Sequence, residues 1–184
     1  MSAPVVRLSL GTAQWGTAYG LTNVRGELSD GDVAGIVQTA LDFGITSVDT
    51  HRTTNPKQGY GRAQSRLRPW ARDFSVTTKV FGGPSADVPV IEQLSASLSD
   101  LGLESVHACL VHDWYELSDE AARATVKALV DARARGLVAL VGVSAYDQTD
   151  LRRAVDTFGS DLGAVQVPVS VVDGFEMINI DEEY

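Results

Sequence analysis

Short apolar runs alternate with longer amphipathic stretches along the chain, and this alternation limits the possible folds more than any other feature. The runs cover residues 5–10, 45–48, 74–80, 106–111, 137–143 and 164–172. Most are rich in Val, Ile and Leu with little polar alternation, as in strands buried on both faces of a parallel sheet. The stretches between them read as helices. Residues 29–43 open on a capping serine and an acidic first turn (Ser29, Asp30, Asp32). Apolar positions follow at Val33, Ile36, Val37, Ala40 and Leu41, and Gly44 acts as a stop. Residues 88–101 and 119–135 are similar, with stops at Gly102 and Gly136, and 150–158 is a shorter helix. A repeated βα order fits either an open doubly wound sheet or a (β/α)8 barrel. The first run lacks the GxGxxG of a dinucleotide-binding open sheet. Polar residues instead collect near the C-terminal ends of the runs, at Gln14, Asp49, Lys79, His112, Ser144 and Gln166. That distribution favours a barrel, whose functional face is its C-terminal rim.

A chain of 184 residues suits one domain, expected to span 1–184, with a sizeable core. It carries 15 Lys+Arg against 24 Asp+Glu, a formal net charge of −9. That sign argues against a nucleic-acid surface and against a polybasic membrane contact. Arg62, Arg66, Arg68 and Arg72 form a local basic cluster, read as the solvated face of a helix, with an anion site as the alternative. Cys109, the only cysteine, cannot form an internal disulfide and reads as a small core residue. No run is long enough to span a bilayer, and the opening residues lack the features of a secretory leader. The expectation is a cytoplasmic protein.

Four residues carry the chemistry. Asp49, Lys79 and His112 end the second, third and fourth strands, and Tyr60 lies in Gly59-Tyr60-Gly61 after the second. In a barrel these positions converge on one pocket. A phenol with a pKa of about 10 is a poor acid–base group near neutrality. An adjacent ammonium is expected to lower that pKa, and Asp49 to hold the Lys79 ammonium charged and in place. His112 would orient a substrate oxygen or share its proton. The set suits proton donation to a carbonyl, or proton removal from a hydroxyl. Trp15, His51, Arg52 and Trp114 are candidates for the substrate pocket, with core packing the alternative for the tryptophans. No His/Cys/carboxylate spacing indicates a metal, since His107 and His112 fall on opposite faces of a strand.

These residues also carry a resemblance. Leu10-Gly11-Thr12-Ala13-Gln14-Trp15-Gly16 with Tyr19-Gly20-Leu21 is similar to a bacterial branch of the aldo-keto reductases. Gly44-Ile45-Thr46-Ser47-Val48-Asp49-Thr50, Tyr60-Gly61 with Gln64 and Leu67, and Thr78-Lys79-Val80 continue it. So do Ser97, Leu98, Leu101 and Gly102, then Leu110-Val111-His112, then Gly136 with Val141-Gly142-Val143-Ser144, and Val165-Gln166-Val167-Pro168. The resemblance implies a (β/α)8 barrel and NADPH-dependent carbonyl reduction. Its catalytic tetrad maps to Asp49, Tyr60, Lys79 and His112, with Tyr60 as proton donor. Ser144 and Gln166 fall where the family holds the nicotinamide.

The sequence departs from the family pattern twice. Tyr60 lies eleven residues after Asp49, farther than in the family, with residues 51–59 between. After the sixth strand, residues 174–184 turn acidic and match neither the seventh nor the eighth strand, which in the family hold the cofactor phosphates. The expected fold is therefore α/β, a C-terminally truncated, incomplete (β/α)8 TIM barrel of about six βα units. Two open edges then predict a homodimer that completes the barrel, or completion by the terminal segment. Three functional readings follow. The first is an aldo-keto-reductase-like oxidoreductase acting on a carbonyl or hydroxyl of a small organic molecule. The second is a cofactor-independent isomerase, dehydratase or lyase on the same pocket. The third is a catalytically silent binding subunit.

Overall fold

The computed structural model describes residues 8–20, 23–52, 60–83, 86 and 88–168. Six strands form one parallel sheet: β1 (Leu10–Gly11), β2 (Ser47–Asp49), β3 (Ser75–Val80), β4 (Val106–Val111), β5 (Val138–Ser144) and β6 (Leu162–Gln166). Helices connect them: α1 (Asp30–Asp42), α2 (Ala63–Leu67), α3 (Val90–Leu101), α4 (Asp119–Ala134) and α5 (Gln148–Phe158).

Strand order decides between the two architectures. A doubly wound sheet reverses direction at a switch point. Here the order runs from β1 to β6 without reversal. The sheet is also rolled. Gln166 at the end of β6 donates from Nε2 to Asp49 Oδ2 at the end of β2, at 3.2 Å. Four strand places separate β2 from β6, which on a flat sheet at the usual spacing would be roughly 19 Å. Among the described residues β1 and β6 do not pair, so the fold is α/β with six strands of an unclosed (β/α)8 arrangement.

Local chemistry accounts for most helix ends. Ser29 and Asp32 form a reciprocal capping box at the start of α1: Asp32 N donates to Ser29 Oγ, and Ser29 N to Asp32 Oδ2, both at 3.1 Å. Ser118 caps α4 by accepting from Ala121 N at 3.2 Å. Asp147 caps α5 by accepting from Asp150 N at 2.8 Å, so that helix starts two residues earlier than its apolar pattern suggests. The stops at Gly44, Gly102 and Gly136 stand as expected.

β4 coincides with its apolar run, while β6 begins at Leu162, two residues before its run, and ends at Gln166. Residues 169–172 of that run and the start of the first run lie outside the described residues. Val33 and Val37 of α1, Leu94 of α3, Leu129 of α4 and Ala154 of α5 pack against the sheet in one apolar cluster with Val48, Val76, Cys109, Val141 and Val143. At ~1.5–3 kcal/mol per fully buried Val or Leu side chain, this layer fixes the strands whose ends carry the site.

Candidate active site

The site begins with an ion pair. Lys79, near the end of β3, is 3% exposed, and a lysine that deep needs a partner. Its Nζ lies 2.6 Å from both carboxylate oxygens of Asp49, the last residue of β2. Burial pulls the Lys79 pKa down, and Asp49 opposes that shift.

Tyr60 packs over this pair, with Lys79 Nζ 5.4 Å from its ring centroid. Its return to the pocket, eleven residues after Asp49, rests on backbone contact with the turn after β1. A Cβ on Gly16 would meet Tyr60 O at 2.1 Å, and one on Gly61 would meet Gly16 O at 2.3 Å. Gly61 also has φ +51°, so this approach requires glycine at both positions. Ala63 N then donates to Tyr60 O at 3.0 Å as α2 begins.

Burial, reinforced by the Asp49 carboxylate, pushes the Tyr60 phenol well above its ordinary pKa. This corrects the expectation that Lys79 would lower it. The ammonium is held bidentately by Asp49, so its field at the phenol is largely offset and desolvation dominates. Tyr60 is therefore a protonated phenol at neutral pH, a proton source that is a weaker acid than a free phenol.

His112 follows β4, its backbone N donating to Val80 O at 2.8 Å. Burial lowers its pKa; Lys79 adds to that shift, while Asp49 and Glu116 oppose it. Its Nδ1 is buried without a hydrogen-bond partner.

Tyr60, Lys79 and His112 line one cavity of about 560 Å³, together with Ser144 and Gln166 from the ends of β5 and β6. Asp49 sits beneath them, bonded to Lys79 and Gln166. The other wall carries Tyr19, Phe81, Tyr115 and Tyr146, with the carboxylates Asp113 and Glu116 near it. Tyr115 and Tyr146 meet edge to face at 5.3 Å. Phe81 is pinned by Gln93, which accepts from Phe81 N at 2.8 Å and donates to Phe81 O at 2.9 Å.

None of the four expected pocket residues lines this cavity. Trp15 and Trp114 lie in the core, 1% and 0% exposed, and Trp114 Nε1 is bonded to Asp150 O at 3.0 Å. Their size and apolar area place them behind the strand ends rather than at the rim. Arg52 is turned away to Asp100, at 2.7 Å. His51 is fully buried behind Tyr60 and His112.

Arg62, Arg68 and Arg72 of the arginine cluster are exposed, as a solvated face requires, whereas Arg66 turns inward. Arg66 is buried and bonds to the carbonyls of Trp15 and Leu28, with Glu27 and Asp30 beside it. Arg62 pairs with Glu27, and Arg68 donates to Ser99 O. The rim tyrosines went unrecognised in the sequence, although a signal was present. All four tyrosines among the described residues line this cavity, and Tyr115 and Tyr146 each follow a polar strand end by two or three residues.

The model of the aldo/keto reductase family matches residues 7–182. A methylglyoxal reductase of Salmonella typhi is 28% identical over 145 residues, covering 78% of this chain and 53% of that protein. The 2,5-diketo-D-gluconic acid reductase B of a Corynebacterium species is 28% identical over 156 residues, covering 85% and 54%. The chain thus spans about half the length of the curated relatives it matches. Among solved structures, a thermostable aldo-keto reductase in complex with the inhibitor epalrestat superposes with a TM-score of 0.67 at 22% identity, covering 89% of this chain and 58% of that one. An aldo-keto reductase from Klebsiella pneumoniae in complex with NADPH gives 0.64 at 21% identity, covering 86% and 52%.

Proposed function

The chain belongs to the aldo/keto reductase family, and on that premise we propose that it is an oxidoreductase acting on the carbonyl or hydroxyl of a small organic molecule. One observation carries the reading: Tyr60, Lys79 and His112 face a single cavity over a buried Lys79–Asp49 pair. Tyr60 gives its phenolic proton to the carbonyl oxygen. Lys79, 5.4 Å from the Tyr60 ring centroid, offers the phenol a partial counter-charge, its field largely offset by Asp49. Asp49 keeps Lys79 charged and placed, and Gln166 braces Asp49. His112 orients the substrate oxygen.

The nicotinamide end of NADPH fits the residues present. The Ser144 hydroxyl and the Gln166 amide face the same cavity and offer the donors and acceptors a carboxamide needs. Bound there, NADPH would supply the hydride for the carbonyl carbon. The phosphates have no counterpart in the described lining, where Lys79 is the only cation and is engaged by Asp49. A second reading, a cofactor-independent isomerase, dehydratase or lyase, uses the same residues. Homodimer formation through the edges at β1 and β6 belongs to the first reading, and sedimentation of the purified chain reads it directly.

NADPH titration of purified protein, by fluorescence or calorimetry, separates the readings. Micromolar binding supports the reductase, and silence at millimolar NADPH overturns it. Tyr60→Phe is expected to lower turnover by about 10²–10⁴-fold, the usual worth of a positioned general acid. Unchanged turnover would remove Tyr60 from the mechanism.

A further inference from the structure

His51 is a fully enclosed polar group beside the site. It is 0% exposed, and neither ring nitrogen has a hydrogen-bond partner. A buried imidazole with both nitrogens unsatisfied is unfavourable unless its ring does something that a smaller residue could not. The ring touches three others. Its centroid lies 4.8 Å from His112 at 67°, 5.8 Å from Tyr60 at 80°, and 5.1 Å from Phe81 at 47°. Phe81 closes the group by meeting His112 at 5.4 Å. These are the separations of edge-to-face and tilted ring pairs.

The position of His51 in the chain matters as much as its depth. Asp49 and Tyr60 are held in one site although ten residues separate them. His51 stands two residues after the first and packs on the second, so its ring contact closes this lengthened loop at its base. Closing a loop costs entropy that some contact must offset. His51 supplies such a contact and at the same time abuts the second residue that faces the substrate, His112.

We propose that His51 is a positioning residue, a neutral aromatic wedge that sets the Tyr60 and His112 rings relative to Lys79. The catalytic importance of that setting rests on the function proposed above; the packing does not. The ring touches no cavity space of its own and carries no proton in the reaction. Burial first, then the neighbouring His112 and Lys79, holds its pKa at about 2. The groups that bear on His112 are His51 itself, Lys79 from β3, Asp49 from β2 and Glu116 from the turn after β4.

The test uses the full chain without substrate or cofactor. The chain has three histidines, and His107 is exposed, so the ring-nitrogen NMR titration of His112 is readily separated. In the unmodified chain His112 is expected to titrate below its ordinary range, with NOEs from the His51 ring to both Tyr60 and His112. His51→Ala opens space beside His112 and should raise its midpoint by about one pH unit as water enters. His51→Phe keeps the wedge and should leave the midpoint near that of the unmodified chain. With a carbonyl substrate, His51→Ala should lower kcat ~10²-fold with KM little changed, as expected for a displacement of about 1 Å, and His51→Phe should recover most of it. An identical His112 titration in folded His51→Ala, or missing NOEs in the unmodified chain, would overturn the proposal. If His51→Ala does not fold, the NOEs and His51→Phe still decide it. Absence of any carbonyl reduction would instead count against the proposed function and leave the NMR result standing.

Discussion

Lys79 and Asp49 each depend on the other for their place in the protein. The lysine is almost wholly buried, and the Asp49 side chain is 17% exposed. Removing one member leaves the other as an uncompensated charge, which typically costs about 3–5 kcal/mol. Lys79→Met should therefore destabilise the fold by about that much in urea denaturation. The double variant Asp49→Leu/Lys79→Met should lose clearly less than the sum of the two single changes, because no orphan charge remains. Additive losses would show that the pair does not act as a unit. Gly16 makes a different demand. A methyl group there would meet the Tyr60 carbonyl at 2.1 Å, and backbone cannot swing aside as a long side chain does. Gly16→Ala should displace Tyr60 and lower turnover by roughly 10²-fold. Turnover equal to that of the unmodified chain would mean that Tyr60 is held by other contacts.

At the level of elements, two features set how well the strand ends are presented. The capping box of Ser29 and Asp32 fixes where α1 starts, and Ser29→Ala should cost about 1 kcal/mol by thermal or chemical denaturation. The β5–β6 pair is tighter. The register shifts between Val141 and Gly142, and a Cβ on Gly142 would sit 1.7 Å from the Ala164 carbonyl oxygen. Only glycine lets the two backbones approach this closely. Gly142→Ala should therefore loosen β6, read as lost hydrogen-exchange protection at Val165 and Gln166 with protection in β3 and β4 retained. Because Gln166 braces Asp49, the same change should also disturb the site.

For the whole molecule, the buried neutral histidines tie stability to pH. His51 titrates at about 2 in the fold, against an ordinary value of 6.5. Between those values the unfolded chain binds a proton that the folded chain refuses. The stabilisation is fully present above about pH 6.5 and is lost as pH falls. The limiting slope is about 1.4 kcal/mol per pH unit for one proton. His112, also shifted down, acts in the same direction. Denaturation at pH 7, 6 and 5 should show this decline, and His51→Phe should flatten it by close to one proton. An equal slope in both proteins would show that His51 is not the group responsible. The sequence by itself determined most of the elements and placed the candidate site residues, since their signals are local: caps at Ser29 and Ser118, stops at Gly102 and Gly136, and charged or polar groups at the ends of apolar runs. Tertiary structure alone decided what those residues meet. The roll of the sheet brings Gln166 to Asp49, the Gly16–Gly61 contact returns Tyr60, and packing sends Trp15, Trp114 and Arg66 inward while the tyrosines gather at the rim. Each of these depends on distances between strands remote in sequence, which no local pattern encodes.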